Sequence, residues 1–125
     1  KSRDRMILNG KKSEILAEKY LLKKDYKIHF KNKRVGRYEV DLVCQDKDVI
    51  VFVEVKSLAS NRIKNPYDAV TQSKQMRIIK VADIILKERF PVNEARFDII
   101  SIIIKNGKPQ FEHLKNAFTP EINTP

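Results

Sequence analysis

The stretch from Val49 to Ser57 reads Val-Ile-Val-Phe-Val-Glu-Val-Lys-Ser. A run so rich in β-branched and aromatic residues predicts a strand that is buried on both faces. Charged side chains are costly in such a strand unless something binds them. Glu54 and Lys56 therefore require a chemical explanation.

A second strand is predicted just before this one, from Tyr38 to Gln45, and the polar residues between the two runs have hairpin length. If Lys47-Asp48 form a two-residue loop, Asp46 pairs with Val49. The sequence therefore predicts a β-hairpin with a defined register.

Counting along this register places Asp41 opposite Glu54 and Glu39 opposite Lys56. Because strand side chains alternate between faces, all four should share one face of the sheet. The opposite face is predicted to be core, formed by Val40, Leu42, Cys44, Val53 and Val55. The charges would then form a pocket at one end of an apolar layer.

Asp41 and Glu54 suit a divalent metal ion. Directly opposed strand residues have Cβ atoms about 5 Å apart, so two carboxylates can reach one cation at metal–oxygen distances of about 2.1 Å. Without a cation they would repel by about 3 kcal/mol at an effective dielectric near 20. Hard oxygen ligands favour Mg²⁺ or Mn²⁺. A cross-strand ion pair between Glu39 and Lys56, with no metal, is the structural alternative.

Asp41 followed by Glu54-Val55-Lys56 resembles the Asp…Glu-x-Lys signature of the PD-(D/E)XK, or restriction-endonuclease-like, nuclease superfamily. An ordered set of segments across roughly residues 9 to 104 resembles, more narrowly, the small bacterial YraN-like family. The segments are Ser13–Ala17 with Tyr20-Leu21, Tyr38–Leu42, Phe52–Ser57, Asp68–Val70 with Lys74 and Arg77-Ile78, and Arg96–Ile99.

The resemblance implies an Mg²⁺- or Mn²⁺-dependent endonuclease that hydrolyses phosphodiester bonds of nucleic acid. It implies DNA as the expected substrate, including branched DNA and repair or recombination intermediates. Asp41 and Glu54 would hold the ion with the backbone carbonyl of Val55. Lys56 would orient or help deprotonate the attacking water, and Glu39 would steer Lys56 or hold an outer water. The rival hypothesis is a non-enzymatic nucleic-acid-binding or scaffold protein that keeps the nuclease fold.

A first amphipathic helix is predicted over about residues 9 to 24, with Asn9 or Ser13 as its N-cap. Glu14 lies near its N-terminal end, at the edge of the apolar stripe. It is either a surface acid that the helix dipole favours or an outer metal ligand that acts through water.

The formal net charge of +10 favours a polyanionic partner, although solubility alone is the plainer explanation. A short strand over 26–30 is predicted to lead into a basic link over 31–37, and a basic loop is predicted over 58–64. The candidate nucleic-acid-binding residues are Lys33, Arg34, Arg37, Arg62, Lys64, Lys74 and Arg77. The alternatives are solvated loops and, for Lys74 and Arg77, cations that snorkel from a helix.

A second helix is predicted from Asn65-Pro66 to about Arg89, followed by a strand over 96–104, an Asn106-Gly107 turn and a strand over 110–114. The order α-β-β-β-α-β-β predicts an α/β fold in which helices flank a restriction-endonuclease-like mixed β-sheet. We expect residues 1–125 to form one domain whose ends, about 1–8 and 118–125, are loosely held.

The sequence has no run of about 20 apolar residues and no signal-peptide pattern, which predicts a cytoplasmic protein that does not enter a membrane. The single cysteine, Cys44, is predicted to be buried and unpaired. His29 and His113 have no Cys partner at zinc spacing, so structural roles are expected. Action on branched DNA would need two symmetric sites and hence a homodimer.

Overall fold

The computed structural model describes residues 10–58 and 70–120 of the 125-residue chain. The described residues form helices and strands in the predicted order. They are α1 (Gly10–Lys23), β1 (Lys27–Val35), β2 (Tyr38–Asp46), β3 (Val49–Ser57), α2 (Gln72–Arg89), β4 (Glu94–Lys105) and β5 (Lys108–Phe118).

The five strands form one sheet in the order β1-β2-β3-β4-β5. β3 and β4 pair in parallel, and the other neighbours pair antiparallel. Parallel neighbours need a crossover connection, and α2 lies within the one between β3 and β4. The predicted α/β fold with a mixed sheet is confirmed, while its finer assignment as restriction-endonuclease-like rests on the resemblance.

The two helices cover opposite faces of the sheet. Alternate side chains of β3 enter two separate apolar clusters, as expected for a strand buried on both sides. What we term the α1 face holds Ala17, Leu21, Val51 and Val53, and the α2 face holds Ile50, Phe52, Ile78 and Val81. β3 is therefore the central strand of the fold.

The β2–β3 hairpin has the predicted register. Asp46 pairs with Val49, and regular pairing continues to Leu42 and Val53. Lys47 in the loop has a left-handed backbone, with φ at 57°, which suits a tight hairpin turn. Regular pairing ends just before the predicted charged pocket.

Val40 corrects the predicted core face. It is fully buried, but it belongs to the cluster on the α2 face rather than to the α1 face with Leu42 and Cys44. Regular pairing of β2 with β3 stops at Leu42 and Val53, and beyond that point strict alternation no longer fixes the face.

The predicted basic link over 31–37 is wrong, because most of it continues β1. The strand runs to Val35 and pairs with β2 as far as Tyr38, so Lys33 and Arg34 are strand residues. Gly36, at φ 62°, and Arg37 form the tight turn. β1 is an edge strand, and edge strands tolerate charged side chains that weaken the sequence signal for a strand.

The helix α2 begins later than predicted. Thr71 is its N-cap, with an extended backbone, and its Oγ1 accepts a hydrogen bond from the Lys74 backbone N–H at 3.2 Å. The predicted start at Asn65-Pro66 falls in 59–69, outside the described residues, whereas the predicted end at Arg89 is confirmed. Within the described ranges, no helix is long and apolar enough to cross a membrane.

Two predictions at the helix and strand ends are also corrected. Ser13 is not an N-cap, because it lies inside α1 and is buried, and Asn9 lies outside the described residues. Phe118 is not part of a loose end, since it closes β5 and its ring stacks on Phe97 with centroids 5.2 Å apart. Cys44 is buried and free, as predicted, and burial raises the pKa of its thiol to about 12.

Candidate active site

Asp41 and Glu54 lie where regular pairing of β2 with β3 stops. Instead of a continued backbone ladder, Oδ2 of Asp41 accepts a hydrogen bond from the Val55 backbone N–H at 2.8 Å. The Asp41 and Glu54 carboxyl groups lie within hydrogen-bonding reach of each other. The structure thus brings together the two side chains predicted to hold a metal ion.

The environment of these carboxyl groups disfavours two negative charges. Burial, followed by the charge of Asp41, raises the pKa of Glu54 to about 7. Burial also raises the pKa of Asp41, although the hydrogen bond from Val55 opposes that shift. Two adjacent, desolvated carboxylates ionise together only when a cation neutralises them.

Lys74 supplies a cation from the first turn of α2. Its Nζ lies 2.5 Å from Oε2 of Glu54. Burial lowers the pKa of Lys74, but the bond to Glu54 and the charges of Glu54 and Asp41 outweigh burial and raise it. Lys74 therefore points into the pocket rather than snorkelling, while Arg77 donates to Ser73 Oγ at 3.1 Å on the exposed side of the helix.

Lys56 follows Glu54 by two residues and is half-buried on the same side of β3. Within the described part of the chain, its ammonium makes no ion pair or hydrogen bond. The alternative of a Glu39–Lys56 ion pair is not formed, because Oε1 of Glu39 lies 3.6 Å from a guanidinium nitrogen of Arg34. Among the described residues, Lys56 is thus an unpaired cation two positions along β3 from Glu54.

Glu14 joins the same group from α1. Burial is the main cause that raises the pKa of Glu14, and the negative charges of Asp41 and Glu39 raise it further. Its carboxyl group lies within hydrogen-bonding reach of Asn32 and Asp41. Glu14 is therefore in contact with the pocket and is not an isolated surface acid.

The donor set suits a hard divalent cation. Oε1 of Glu54 is buried and has no hydrogen-bond partner. In residues 10–58 and 70–120, no three His, Cys, Asp or Glu side chains are arranged to hold one ion. The candidate ligands are fewer: the carboxylates of Asp41 and Glu54 and the backbone carbonyl of Val55. Such a set suffices for Mg²⁺, which typically binds only one or two carboxylates and keeps several waters. The residues therefore fit Mg²⁺ or Mn²⁺.

Sequence reasoning missed Ser101 on β4. Ser101 pairs with Lys56 in the parallel register, is 1% exposed, and its Oγ has no hydrogen-bond partner. The sequence pattern of β4 does not mark Ser101 as a residue near the site, because that position depends on how β4 pairs with β3. A buried hydroxyl thus occupies the position of β4 that pairs with Lys56.

The predicted nucleic-acid-binding residues divide into separate groups. Lys33, Arg34 and Arg37 lie on the β1–β2 hairpin, whose turn directly precedes Glu39 and Asp41. Lys33 places its Nζ 4.6 Å from the centroid of the Phe30 ring. Lys74 and Arg77 lie on the first turns of α2, whereas Arg62 and Lys64 fall outside the described residues.

A second polar cluster, also missed from the sequence, surrounds Asp98 on the α1 face. Arg96 donates to both Asp98 oxygens, at 2.9 and 3.0 Å, and the Asn116 backbone N–H donates at 3.0 Å. Nε2 of His113 lies 2.8 Å from Oδ2 and donates to it, because an ionised carboxylate only accepts. The cluster satisfies its own polar atoms, in agreement with the structural role predicted for His113.

Comparison with known proteins shows the family. The model of the uncharacterised protein family UPF0102 matches residues 13–102. A UPF0102 protein of Syntrophomonas wolfei is 44% identical over 108 residues, covering 84% of this chain and 92% of the relative. A UPF0102 protein of Bacteroides fragilis is 40% identical over 116 residues, covering 92% and 95%. One of Geobacter metallireducens is 44% identical over 110 residues, covering 87% and 90%. The match includes every residue of the candidate active site, and the chain therefore belongs to the UPF0102 family.

Proposed function

We propose that this protein is a metal-dependent nuclease that hydrolyses phosphodiester bonds of nucleic acid, with DNA as the expected substrate. One observation carries the proposal: the half-buried Asp41 and the buried Glu54 meet where the β2–β3 pairing ends. Lys56 lies two positions beyond Glu54 on the same side of β3 and makes no ion pair or hydrogen bond with the other described residues. The resemblance of these three residues to the Asp…Glu-x-Lys signature supports the same assignment.

Asp41, Glu54 and the Val55 carbonyl would hold Mg²⁺ or Mn²⁺, which when bound lowers the pKa of a water and stabilises charge on the phosphoryl group. Asp41 is oriented by the Val55 N–H, so its carboxylate is fixed before any ligand binds. Lys56 orients the attacking water or helps to deprotonate it, and its charge favours the phosphate. Glu39 and Glu14, at the border of the pocket, hold outer waters.

Lys74 has a distinct role in this scheme. In the structure it neutralises Glu54 through Oε2 and leaves Oε1 of Glu54 without a partner. Its flexible stem allows the ammonium to move from the carboxylate to an incoming phosphate. Lys74 thus stabilises the pocket before binding and contributes to substrate binding afterwards.

The decisive experiment is a cleavage assay on single-stranded, duplex and branched DNA and on RNA, with Mg²⁺, with Mn²⁺ and with chelator. We expect metal-dependent cleavage that falls at least a hundredfold in Asp41→Asn and Lys56→Ala, since both act on the reacting groups. Asp83→Asn and Lys80→Ala, on exposed positions of α2, are matched controls that should keep full activity. Cleavage that survives both site substitutions would exclude this site.

The alternative is a non-enzymatic nucleic-acid-binding or scaffold protein. The ion pair of Lys74 with Glu54 favours it, because a lysine already supplies the positive charge that a metal would bring. Binding of nucleic acid without cleavage of any substrate, together with no heat of Mg²⁺ or Mn²⁺ binding in calorimetry, would establish this alternative. Resolvase-like cleavage of branched DNA further requires two sites related by symmetry, so light scattering should then detect a homodimer.

A further inference from the structure

A groove of about 680 Å³ lies between α1 and the edge strand β5. Two features of its wall determine its chemistry. Its aromatic surface comes from Tyr20 and Phe111, and its charge comes from Lys19, Lys23 and Lys24. The volume falls within the range of about 300–1,000 Å³ that is typical of small-ligand sites.

The aromatic surface is held in place by its neighbours. The Tyr20 and Phe111 rings stack with centroids 4.7 Å apart and planes 20° apart. Tyr20 also meets the ring of His113 edge-on, with centroids 5.6 Å apart. Both Tyr20 and Phe111 are half-buried, so their packing fixes the rings while part of each remains open to the groove.

The charged side chains that line the groove are all basic, and Glu112, which follows Phe111, adds one negative charge near Tyr20. Lys19 and Lys23 lie one helical turn apart on α1, and Nζ of Lys24 lies 5.3 Å from the centre of the Tyr20 ring. All three lysines are exposed, and among the described residues that line the groove none is acidic. The groove therefore complements a ligand that combines negative charge with a flat apolar surface.

We propose that this groove binds a single-stranded segment of nucleic acid, with a base against Tyr20 and Phe111 and phosphates at the lysines. Aromatic side chains beside a basic track are the general means of binding single strands, because an unpaired base exposes its π-face. A duplex stacks its bases on one another and cannot use the aromatic wall. The inference rests on the proposed function in taking nucleic acid as the partner.

The groove also lies near the candidate active site along α1. Glu14, whose pKa the charge of Asp41 raises, lies six residues before Tyr20, about 9 Å along the helix axis. On this inference, one strand runs from the carboxylate pocket past the N-terminal end of α1 into the groove. The groove would select substrates that carry a single-stranded segment next to the cleaved bond.

The test measures binding in chelator, so that catalysis plays no part. A labelled single-stranded oligonucleotide is titrated by fluorescence anisotropy against the wild type, Tyr20→Leu and the double variant Lys19→Gln/Lys23→Gln. We expect Tyr20→Leu to weaken binding about tenfold through lost stacking. The double variant should reduce the slope of log affinity against log salt by about 1.4. Lys47→Gln/Lys80→Gln removes the same charge away from the groove and should change affinity less.

A second measurement needs no variant. An oligonucleotide that carries 2-aminopurine should lose fluorescence on binding the wild type, because the base stacks on an aromatic ring. Any of three results would overturn the proposal. They are unchanged 2-aminopurine emission on binding, equal affinity of Tyr20→Leu and the wild type, and an equal effect of Tyr20→Leu on binding of a blunt duplex.

The experiments also separate the groove from the proposed function. Metal-dependent cleavage with no effect of Tyr20→Leu on binding would reject the groove alone. Binding that depends on Tyr20, without cleavage by any metal, would reject hydrolysis alone.

Discussion

The side chain of Glu54 is 2% exposed, yet its Oε1 has no hydrogen-bond partner. Leaving a buried acceptor without a partner costs about 1–3 kcal/mol. Burial and the neighbouring Asp41 also raise its pKa to about 7. Glu54 therefore makes the folded protein less stable than a satisfied side chain would. Such a cost at a pair of adjacent carboxyl groups is typical of functional sites.

The raised pKa of Glu54 gives a pH dependence with a definite sign. The folded protein binds a proton at Glu54 more tightly than the unfolded chain does, so protonation of Glu54 stabilises the fold. This stabilisation is fully present below pH 4.5. It is lost as the pH rises to about 7. We expect Glu54 to lower the free energy of unfolding by on the order of 2 kcal/mol across this window in chelator.

Urea unfolding of the wild type and Glu54→Gln at pH 5 and pH 8 measures this effect. The loss on going to pH 8 should be smaller in Glu54→Gln, whose side chain does not titrate. Asp83→Asn, at an exposed position, should behave like the wild type. If Glu54→Gln loses as much stability as the wild type, Glu54 does not titrate in this range.

At the scale of elements, the start of α2 positions the cation of the pocket. Thr71 caps the helix by accepting the backbone N–H of Lys74, and the side chain of the same Lys74 contacts Glu54. The Val70 carbonyl is bound by the Gln75 side chain at 3.1 Å, which fixes the chain entering the helix. A local capping motif therefore places a residue of the candidate active site.

Thr71→Ala should lower the free energy of unfolding by about 1 kcal/mol, because one backbone donor of the first turn loses its acceptor. Thr71→Ser keeps the hydroxyl and should retain most of that stability. Urea denaturation of both variants measures the difference. Equal midpoints for Ser and Ala at position 71 would show that the hydroxyl does not act as a cap.

At the scale of the molecule, Asp98 and Arg96 connect segments distant in sequence. Arg96 on β4 donates to Asp46 at the end of β2 at 3.1 Å and to the Tyr26 hydroxyl before β1 at 2.7 Å. Asp98 is fully buried and binds His113 on β5. This cluster connects β2, β4 and β5 with the residue that precedes β1, on the α1 face of the sheet.

Asp98→Asn should cost about 2–3 kcal/mol in the free energy of unfolding, because a neutral amide replaces the carboxylate that accepts two hydrogen bonds from the half-buried Arg96, which keeps its ion pair with Asp46. Burial raises the pKa of Asp98, but bonds from His113 and Arg96 outweigh burial and lower it. Its contribution is therefore present above pH 3.8, the ordinary Asp value, and is lost as the pH falls through the lower folded-state pKa.

Thermal and urea unfolding at pH 7 measure the cost, with Asp83→Asn as the exposed control. An acid titration followed by circular dichroism should show Asp98→Asn losing less stability than the wild type below pH 4. A midpoint equal to that of the wild type at pH 7 would mean that the cluster does not stabilise the fold.

The sequence by itself determined the parts of this protein that depend on neighbours in the chain. A two-residue loop fixes the β2–β3 register from Asp46–Val49 to Leu42–Val53, which brings Asp41 and Glu54 to the same end of the hairpin. The end of α2 at Arg89 and the Asn106-Gly107 turn follow from equally local signals. These interactions span short loops whose geometry leaves few choices.

The tertiary structure alone decided the contacts between distant segments. Lys74 meets Glu54 because the crossover lays α2 on one face of β3, and Ser101 neighbours Lys56 only once β3 and β4 pair in parallel. The partners of Asp98 likewise depend on how β5 pairs with β4. No local pattern encodes such pairings, because they arise when whole elements pack so as to bury their apolar faces.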